Sequence, residues 1–406
     1  MSTTPSPAPS GRLTSLDALR GFDMFWILGA DAVMHGLGKL FNFTPVTQLA
    51  AQFEHKAWAG FAFYDLIFPL FVFMAGASVA FSIGKTIAQQ GRAAAVRKIL
   101  ARTALLLVIG VIYSGGFANE WPNMRLLGVL QRIALAYGGA ALLFCFFRPR
   151  ALAVITVAIL VGYWALLGLV PIRDIQLDNA ALAAKLGTAK PTPEQVAAAF
   201  NATTATVTGH YEPGYNLTNH IDYQYLPGKR YDTYYDPEGI LSTLPGIATG
   251  LLGIFAGLLL RRTDATDREK IARLVIAGVM CLALGWIWHG WFPVVKKLWT
   301  SSFVLVAGGW SCLLLAAFYY VIDVRRWSAW CQPFVWIGMN PITLYLASNI
   351  VRPRQLAQRF AGGSVKGWLD TTISPALGDL VIALVGLALV FALARFLYRR
   401  QIFLRI

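Results

Sequence analysis

Apolar stretches of about 20 residues, the length that crosses a hydrocarbon core, recur between residues 21 and 396. Only 14% of the residues are charged, against about 25% in soluble domains. Long apolar segments in a charge-poor chain must satisfy their backbone polar groups internally once in lipid. The expected fold class is therefore all-α, a polytopic integral membrane helical bundle. Ten spans are expected, near 21–38, 66–84, 103–119, 126–147, 151–170, 240–260, 271–291, 302–322, 331–350 and 374–396. A re-entrant piece near 350–372 would raise the number to eleven.

Lys and Arg set the orientation. With the N-terminus in the cytoplasm, 20 of them fall on the cytoplasmic side and 14 outside. Five of those 14 lie in one long outer segment, where the rule has little force. Ten spans with both the N-terminus and the C-terminus cytoplasmic satisfy this bias. The net charge of +15 then reads as positive-inside loops and attraction to the lipid bilayer. A nucleic-acid partner is not expected, because the cations sit at helix ends and not on one soluble face.

Residues 1–14, rich in Pro and Ser, read as a disordered N-terminal tail and not as a signal peptide. Residues 15–406 read as a single transmembrane domain with outer segments 39–65 and 171–239. Within the second, the Ala-rich stretch Asn179 to Ala205 suits an amphipathic helix or a mobile segment. Tyr211 to Glu238, crowded with Tyr, Asn, Asp, Gly and Pro, suits an ordered irregular lid. The short N-terminus without organelle signals points to a bacterial inner membrane. Cys145, Cys281, Cys312 and Cys331 fall in or beside spans without metal-ligand spacing, so neither a metal nor a disulfide is expected.

Ionisable groups at membrane depth are costly and mark function. Arg20 and Asp31 are eleven residues apart and share a face of an unbroken helix. Arg125 and Arg132 are seven apart and share another. Arg132 lies inside its span and needs backbone carbonyls or an anion such as Asp31, Asp65 or Asp236. Asp65 is placed to cap the second span. His55 precedes it by ten residues, and Trp58, Phe61 and Phe63 can bury it. A neutral imidazole is a suitable base, although a loop histidine is equally a plain surface group. Asp236-Pro237-Glu238 suits ordinary helix capping, and Lys296-Lys297-Leu298-Trp299 suits an interfacial anchor. Asn340-Pro341 interrupts the ninth span, where Asn340 can satisfy freed backbone groups. In this orientation Asp31, His55, Asp65, Arg125, Asp236 and Lys296 fall toward the outer face, with Arg132 and Asn340 deeper. Six separate segments thus send polar groups to one half of the bilayer.

Several stretches occur in order along nearly the whole chain: Ser15-Leu16-Asp17-Ala18-Leu19-Arg20-Gly21, His55-Lys56-Ala57-Trp58 leading to Asp65-Leu66-Ile67-Phe68-Pro69, Gly128-Val129-Leu130-Gln131-Arg132, Asp236-Pro237-Glu238-Gly239, Lys296-Lys297-Leu298-Trp299 and Gly338-Met339-Asn340. Together they resemble the heparan-α-glucosaminide N-acetyltransferase family and its bacterial relatives. The resemblance implies a multi-span enzyme with acetyl-CoA as co-substrate and no metal. In the lysosomal enzyme a cytosolic donor acetylates the amine of a terminal glucosamine in the lumen. The family's active-site histidine matches His55. A family asparagine in the first span stands here as Asp31, a departure that changes a hydrogen-bond donor into an anion. The resemblance also implies a homodimer. The animal enzyme's luminal N-terminal domain has no counterpart in the sequence, so a small amino-sugar acceptor is expected.

On this reading His55 takes the ammonium proton of the acceptor, its ring oriented by Asp65 or Asp31, or carries a transient acetyl group. Asn340, Arg132 or Lys296 stabilises the oxyanion. Substrate contacts are expected from Arg125, Arg132, Gln131, Asp236, Glu238, Lys296 and Trp299. Arg20, Arg97, Lys98 and Arg102 are candidates for the coenzyme A phosphates at the cytoplasmic mouth. Asn219, Asp222, Tyr225 and Tyr231 of the lid are candidates for sugar hydroxyls. The competing classes are an O-acyltransferase acting on a surface glycan or other hydroxyl, a sugar transporter and a non-catalytic scaffold. A transporter would show internal repeats and paired broken helices in both halves. The sequence has one Pro-disturbed helix and no repeat. A scaffold would leave Arg132 and Asp31 as cost without purpose.

Overall fold

The computed structural model describes residues 13–403 apart from Asn42 and Pro122. Most of the tail expected over 1–14 lies outside the described residues, and Thr14 is already helical. The chain is mostly helical. Among the described residues seven helices are long and apolar enough to cross a membrane. The pair Gln332–Gly338 and Pro341–Val351, bent by 82° at Asn340, makes an eighth if taken as one broken span. The bend follows from Pro341, which lacks an N–H and cannot continue the preceding helix.

Two expected spans, 66–84 and 103–119, are the arms of a helical hairpin within Phe63–Tyr113. As a straight rod its 51 residues would reach about 75 Å, more than twice a hydrocarbon core. Gly91 breaks it, with φ 81° and ψ 172°. The arms fold back on each other: Val79 and Ile83 share a buried cluster with Ala95 and Ile99, and Lys98 Nζ reaches Thr86 Oγ1 at 3.4 Å.

The first apolar stretch departs from the expected single helix. Thr14–Phe25 passes through a π-helical turn, Trp26–Ala30, into Asp31–Leu40. Gly29 sits in that turn at φ 129°, a conformation that disfavours a side chain. The widened turn shifts the helical phase between Arg20 and Asp31, so the shared-face argument does not hold. Arg20 Nη2 donates to Ser78 Oγ at 2.8 Å, whereas Asp31 Oδ2 accepts from Tyr64 Oη at 3.1 Å.

Glycines allow the helices to touch backbone to backbone, as in other membrane bundles. A Cβ on Gly76 would strike the Gly250 carbonyl, and one on Gly253 would strike that of Phe73. Gly21 and Gly338 cross in the same reciprocal way, against Phe334 and Asp17. At one end of the bundle the Asp323 carboxylate accepts from the backbone N–H groups of Thr14 and Ser15, capping the first helix. At the opposite end the segments 52–62, 123–128, 170–242 and 289–300 come together, joined by Gly60 N to Val294 O, Trp58 Nε1 to Tyr211 O and Lys229 N to Met124 O.

The segment 171–239 is a folded cap. Ile172–Arg173 pairs antiparallel with Thr206–Val207. The Ala-rich stretch forms two short helices, Asn179–Leu186 and Pro193–Ala202, capped by the side chains of Asp178 and Thr192. The irregular half includes a third, Leu217–Tyr225, capped by Asn216. Leu182, Phe200, Tyr234 and Tyr235 fill the interior.

Candidate active site

His55 lies on an irregular stretch pinned from several directions. Gly60 N donates to Val294 O at 2.8 Å, and Ala59 forms an isolated bridge with Val295. Trp58 Nε1 donates to Tyr211 O of the cap at 2.7 Å. Asp65, in the first turn of Phe63–Tyr113, organises this stretch. Its Oδ2 accepts from Ala62 N at 3.1 Å and Lys56 N at 3.3 Å, while its Oδ1 lies 2.8 Å from His55 Nδ1. Asp65 is 1% exposed and the His55 ring is half exposed. A carboxylate facing Nδ1 favours the tautomer with the proton there, leaving the Nε2 lone pair available. The sequence left Asp65 and Asp31 as alternatives for orienting the ring. Of these two, Asp65 bonds to it and Asp31 acts at one remove, through Tyr64, whose ring lies 4.8 Å from the imidazole.

Lys296 completes the cluster. Its Nζ lies 3.6 Å from Asp65 Oδ1 and 3.0 and 3.2 Å from the two His55 ring nitrogens. Near equidistance from both nitrogens sets it across the imidazole and not along one lone pair. Burial holds the Lys296 ammonium below the ordinary lysine range, with the Asp65 charge acting the other way. Thr300 Oγ1, which caps the following helix, also accepts from Val295 N at 3.0 Å and so shapes the loop that delivers Lys296.

A cavity of about 430 Å³ opens beside the cluster. Its wall combines apolar Ile27, Ile67, Phe68 and Trp299 with His55, Lys296, Arg125 and Glu238. Arg125 grips Asp236 through two hydrogen bonds of 2.9 and 2.7 Å and reaches Glu238 at 2.8 Å. Asp236 is fully buried. Glu238 faces the cavity, and burial beside Asp236 raises its carboxyl above the usual range. The arrangement sets a carboxylate-oriented imidazole and the Arg125–Glu238 pair beside an apolar wall.

Not every residue expected at the site lines it. Arg132, 1% exposed, has no salt bridge to Asp31, Asp65 or Asp236. Its Nη2 donates to Ser242 Oγ at 2.6 Å and to the carbonyls of Pro237 and Gly239, and its guanidinium lies over Trp299. It holds the back of the wall. Gln131 is buried between Gly110 and Gly128. Asn340 Nδ2 donates to Ile402 O, and Asn340 is absent from the cavity lining. Asn219 and Asp222 do not line the cavity. Asn219 Oδ1 accepts within its own loop, and Asp222 accepts from Ile240 N and Asp236 N. Tyr225 is exposed, and of the four lid residues only Tyr231 lines the cavity.

Arg20, Arg97, Lys98 and Arg102 lie away from this cavity. Arg97 and Lys98 are exposed on the second arm of the hairpin near the Gly91 turn, and Arg102 stacks over Tyr137 with its Nε buried and unpartnered. Arg97 and Lys98 place cations near the opposite end of the bundle from His55, whereas Arg20, bonded to Ser78, and Arg102, over Tyr137, lie midway along it. Tyr64, Lys56, Lys297 and Tyr345 line the cavity without having been singled out. Tyr64 adjoins Asp65 and was legible in principle; Tyr345 lies on Pro341–Val351, beyond the bend at Asn340.

Residues 12–194 match a family described as heparan-alpha-glucosaminide N-acetyltransferase, catalytic. The human protein named heparan-alpha-glucosaminide N-acetyltransferase is 28% identical over 375 residues, covering 84% of this chain and 53% of the relative. The mouse protein of the same name is 27% identical over 380 residues, covering 84% and 54%. The chain spans about half the length of these curated relatives. The matched family region contains His55, Asp65 and Arg125, whereas Glu238 and Lys296 lie beyond it.

Proposed function

We propose that this chain, similar over residues 12–194 to the heparan-alpha-glucosaminide N-acetyltransferase family, is a transmembrane N-acetyltransferase moving an acetyl group from cytosolic acetyl-CoA to the amine of a glucosamine-type sugar at the opposite face. The observation that carries the reading is the buried Asp65 carboxylate 2.8 Å from His55 Nδ1, with the ring at the rim of a cavity. His55 Nε2 takes a proton from the acceptor ammonium, Asp65 stabilises the resulting imidazolium, and the freed amine attacks the thioester carbonyl. The carbon–sulfur bond breaks and the thiolate leaves, accepting the proton from His55, while the amide nitrogen releases its second proton to solvent. Lys296 supplies positive charge to the oxyanion that forms on the way. Glu238 and Arg125, paired at 2.8 Å on the cavity wall, are placed to hydrogen-bond the acceptor.

Ten crossings with both termini in the cytoplasm fit the hairpin at Gly91 and the distribution of Lys and Arg. In that frame His55 stands at the outer face, and Arg97 and Lys98 stand toward the side where the donor's phosphates arrive. Purified protein incubated with acetyl-CoA and a panel of amino sugars tests the reading. Release of free thiol with glucosamine, but not with glucose, supports N-transfer. Turnover with glucose alone would overturn it in favour of O-transfer, and the absence of turnover across the panel would remove the amino-sugar assignment.

A further inference from the structure

The cavity contains an amine of its own. Lys296 Nζ stands within 3.2 Å of both nitrogens of the ring assigned as base. We propose that Lys296 is an internal acetyl acceptor, so that the protein N-acetylates itself there when an acetyl thioester is bound and no acceptor amine fills the cavity. This rests on the reading of the site as an acetyl-CoA-dependent N-acetyltransferase.

Three lysines line the cavity, and their surroundings rank them. Lys297 Nζ is tied to Asp232 at 2.8 Å. Lys56 is exposed beside the Asp65 turn. Lys296 alone among these three lies against His55, where a carbonyl positioned for attack by an acceptor also comes within its reach. Such proximity replaces a bimolecular encounter by an intramolecular one. Burial favours the neutral amine at Lys296, while Asp65 favours the ammonium and slows the reaction.

The step balances without a further reagent. The ammonium first loses one proton to solvent. The Nζ lone pair then forms a bond to the thioester carbonyl carbon, the carbon–sulfur bond breaks, and its electron pair leaves on sulfur. His55 carries the second proton from nitrogen to the thiolate, giving an amide and a free thiol. The product has no cation beside Asp65 and occupies the space needed by the acceptor. Self-acetylation would therefore switch off enzyme that meets donor without acceptor, and acceptor would protect against it.

The test is peptide mass spectrometry of the full-length protein after incubation with acetyl-CoA alone. Lys296 is expected to gain an acetyl group faster than Lys56 and Lys297 by about tenfold or more. Added glucosamine is expected to slow it, and His55→Ala to reduce it to the rate of Lys56. The internal comparison in the unaltered protein needs no variant to fold. Acetylation of glucosamine with Lys296 reacting no faster than its two neighbours overturns the inference and leaves the proposed function standing. Absence of both reactions overturns both.

Discussion

Asp65 starts a helix and orients an imidazole with the same carboxylate: one oxygen accepts from Ala62 N at 3.1 Å, and the other lies 2.8 Å from His55 Nδ1. The imidazole is thereby fixed to the end of the long hairpin, whose first arm is locked against Thr243–Arg261 by glycine contacts. Packing in the bundle thus sets the position of a group at its rim.

Asp65→Asn separates the two duties. An asparagine can still accept the capping hydrogen bond, but its amide donates toward Nδ1 and favours the tautomer with the proton on Nε2. Turnover is expected to fall about 10²- to 10⁴-fold, with a stability loss of about 1 kcal/mol. Steady-state kinetics beside thermal unfolding in detergent reads both. A stability loss large enough to account for the lost activity would contradict the orienting role.

Arg125→Met should be costly for a different reason. It leaves the buried Asp236 and the nearby Glu238 without their cation. Breaking a buried pair costs about 3–5 kcal/mol, and the lower end applies because Arg125 is one-fifth exposed. Arg125→Lys should recover only part of this, since lysine cannot reproduce the two-pronged contact with Asp236. Unfolding midpoints of the two variants check the order.

Two buried groups on the cap helix give opposite pH signatures. Burial pushes the His220 imidazole down to about 4, so the fold resists its protonation. Its contribution is complete above about 6.5 and is lost as pH falls toward 4, about 3 kcal/mol at most. Burial pushes the Asp222 carboxyl up to about 7. Its contribution is complete below about 3.8 and is lost as pH rises through 7, about 4 kcal/mol at most. The two slopes oppose each other between about pH 4 and 6.5. Relative to the unaltered protein, His220→Gln should gain stability as pH falls below 6.5, and Asp222→Asn as pH rises toward 7 and above. Unfolding midpoints across this range test both signs.

Gly76→Leu tests the link between packing and site. Its side chain would collide with the Gly250 carbonyl, a backbone atom that cannot yield without moving the neighbouring helix. The expected result is a stability loss of about 1–3 kcal/mol together with reduced turnover, although Gly76 is eleven positions from Asp65. Full activity with unchanged stability would show that the close helix crossing is dispensable.

Much of this organisation was legible in the residues. Apolar length set the bundle, and His55 ten positions ahead of an acidic helix start suggested the pair that the fold forms. What the sequence hid depends on contacts between distant segments or on one unusual turn. Lys296 reaches His55 from 241 positions away through a loop shaped by Thr300. Arg20 and Asp31 were expected on one face, and the π turn at Gly29 separates them. Asp222 and Asn219 carry chemistry suited to a sugar but serve the cap's own backbone. Polar residue type cannot distinguish a ligand contact from a buried structural one; only the direction of the side chain does.

The most direct test is acetyl transfer by purified His55→Ala, measured together with coenzyme A binding. A side chain acting in the chemical step, and not in donor capture or folding, predicts normal membrane insertion, retained coenzyme A binding and loss of transfer to glucosamine. Turnover equal to that of the unaltered protein would contradict the account.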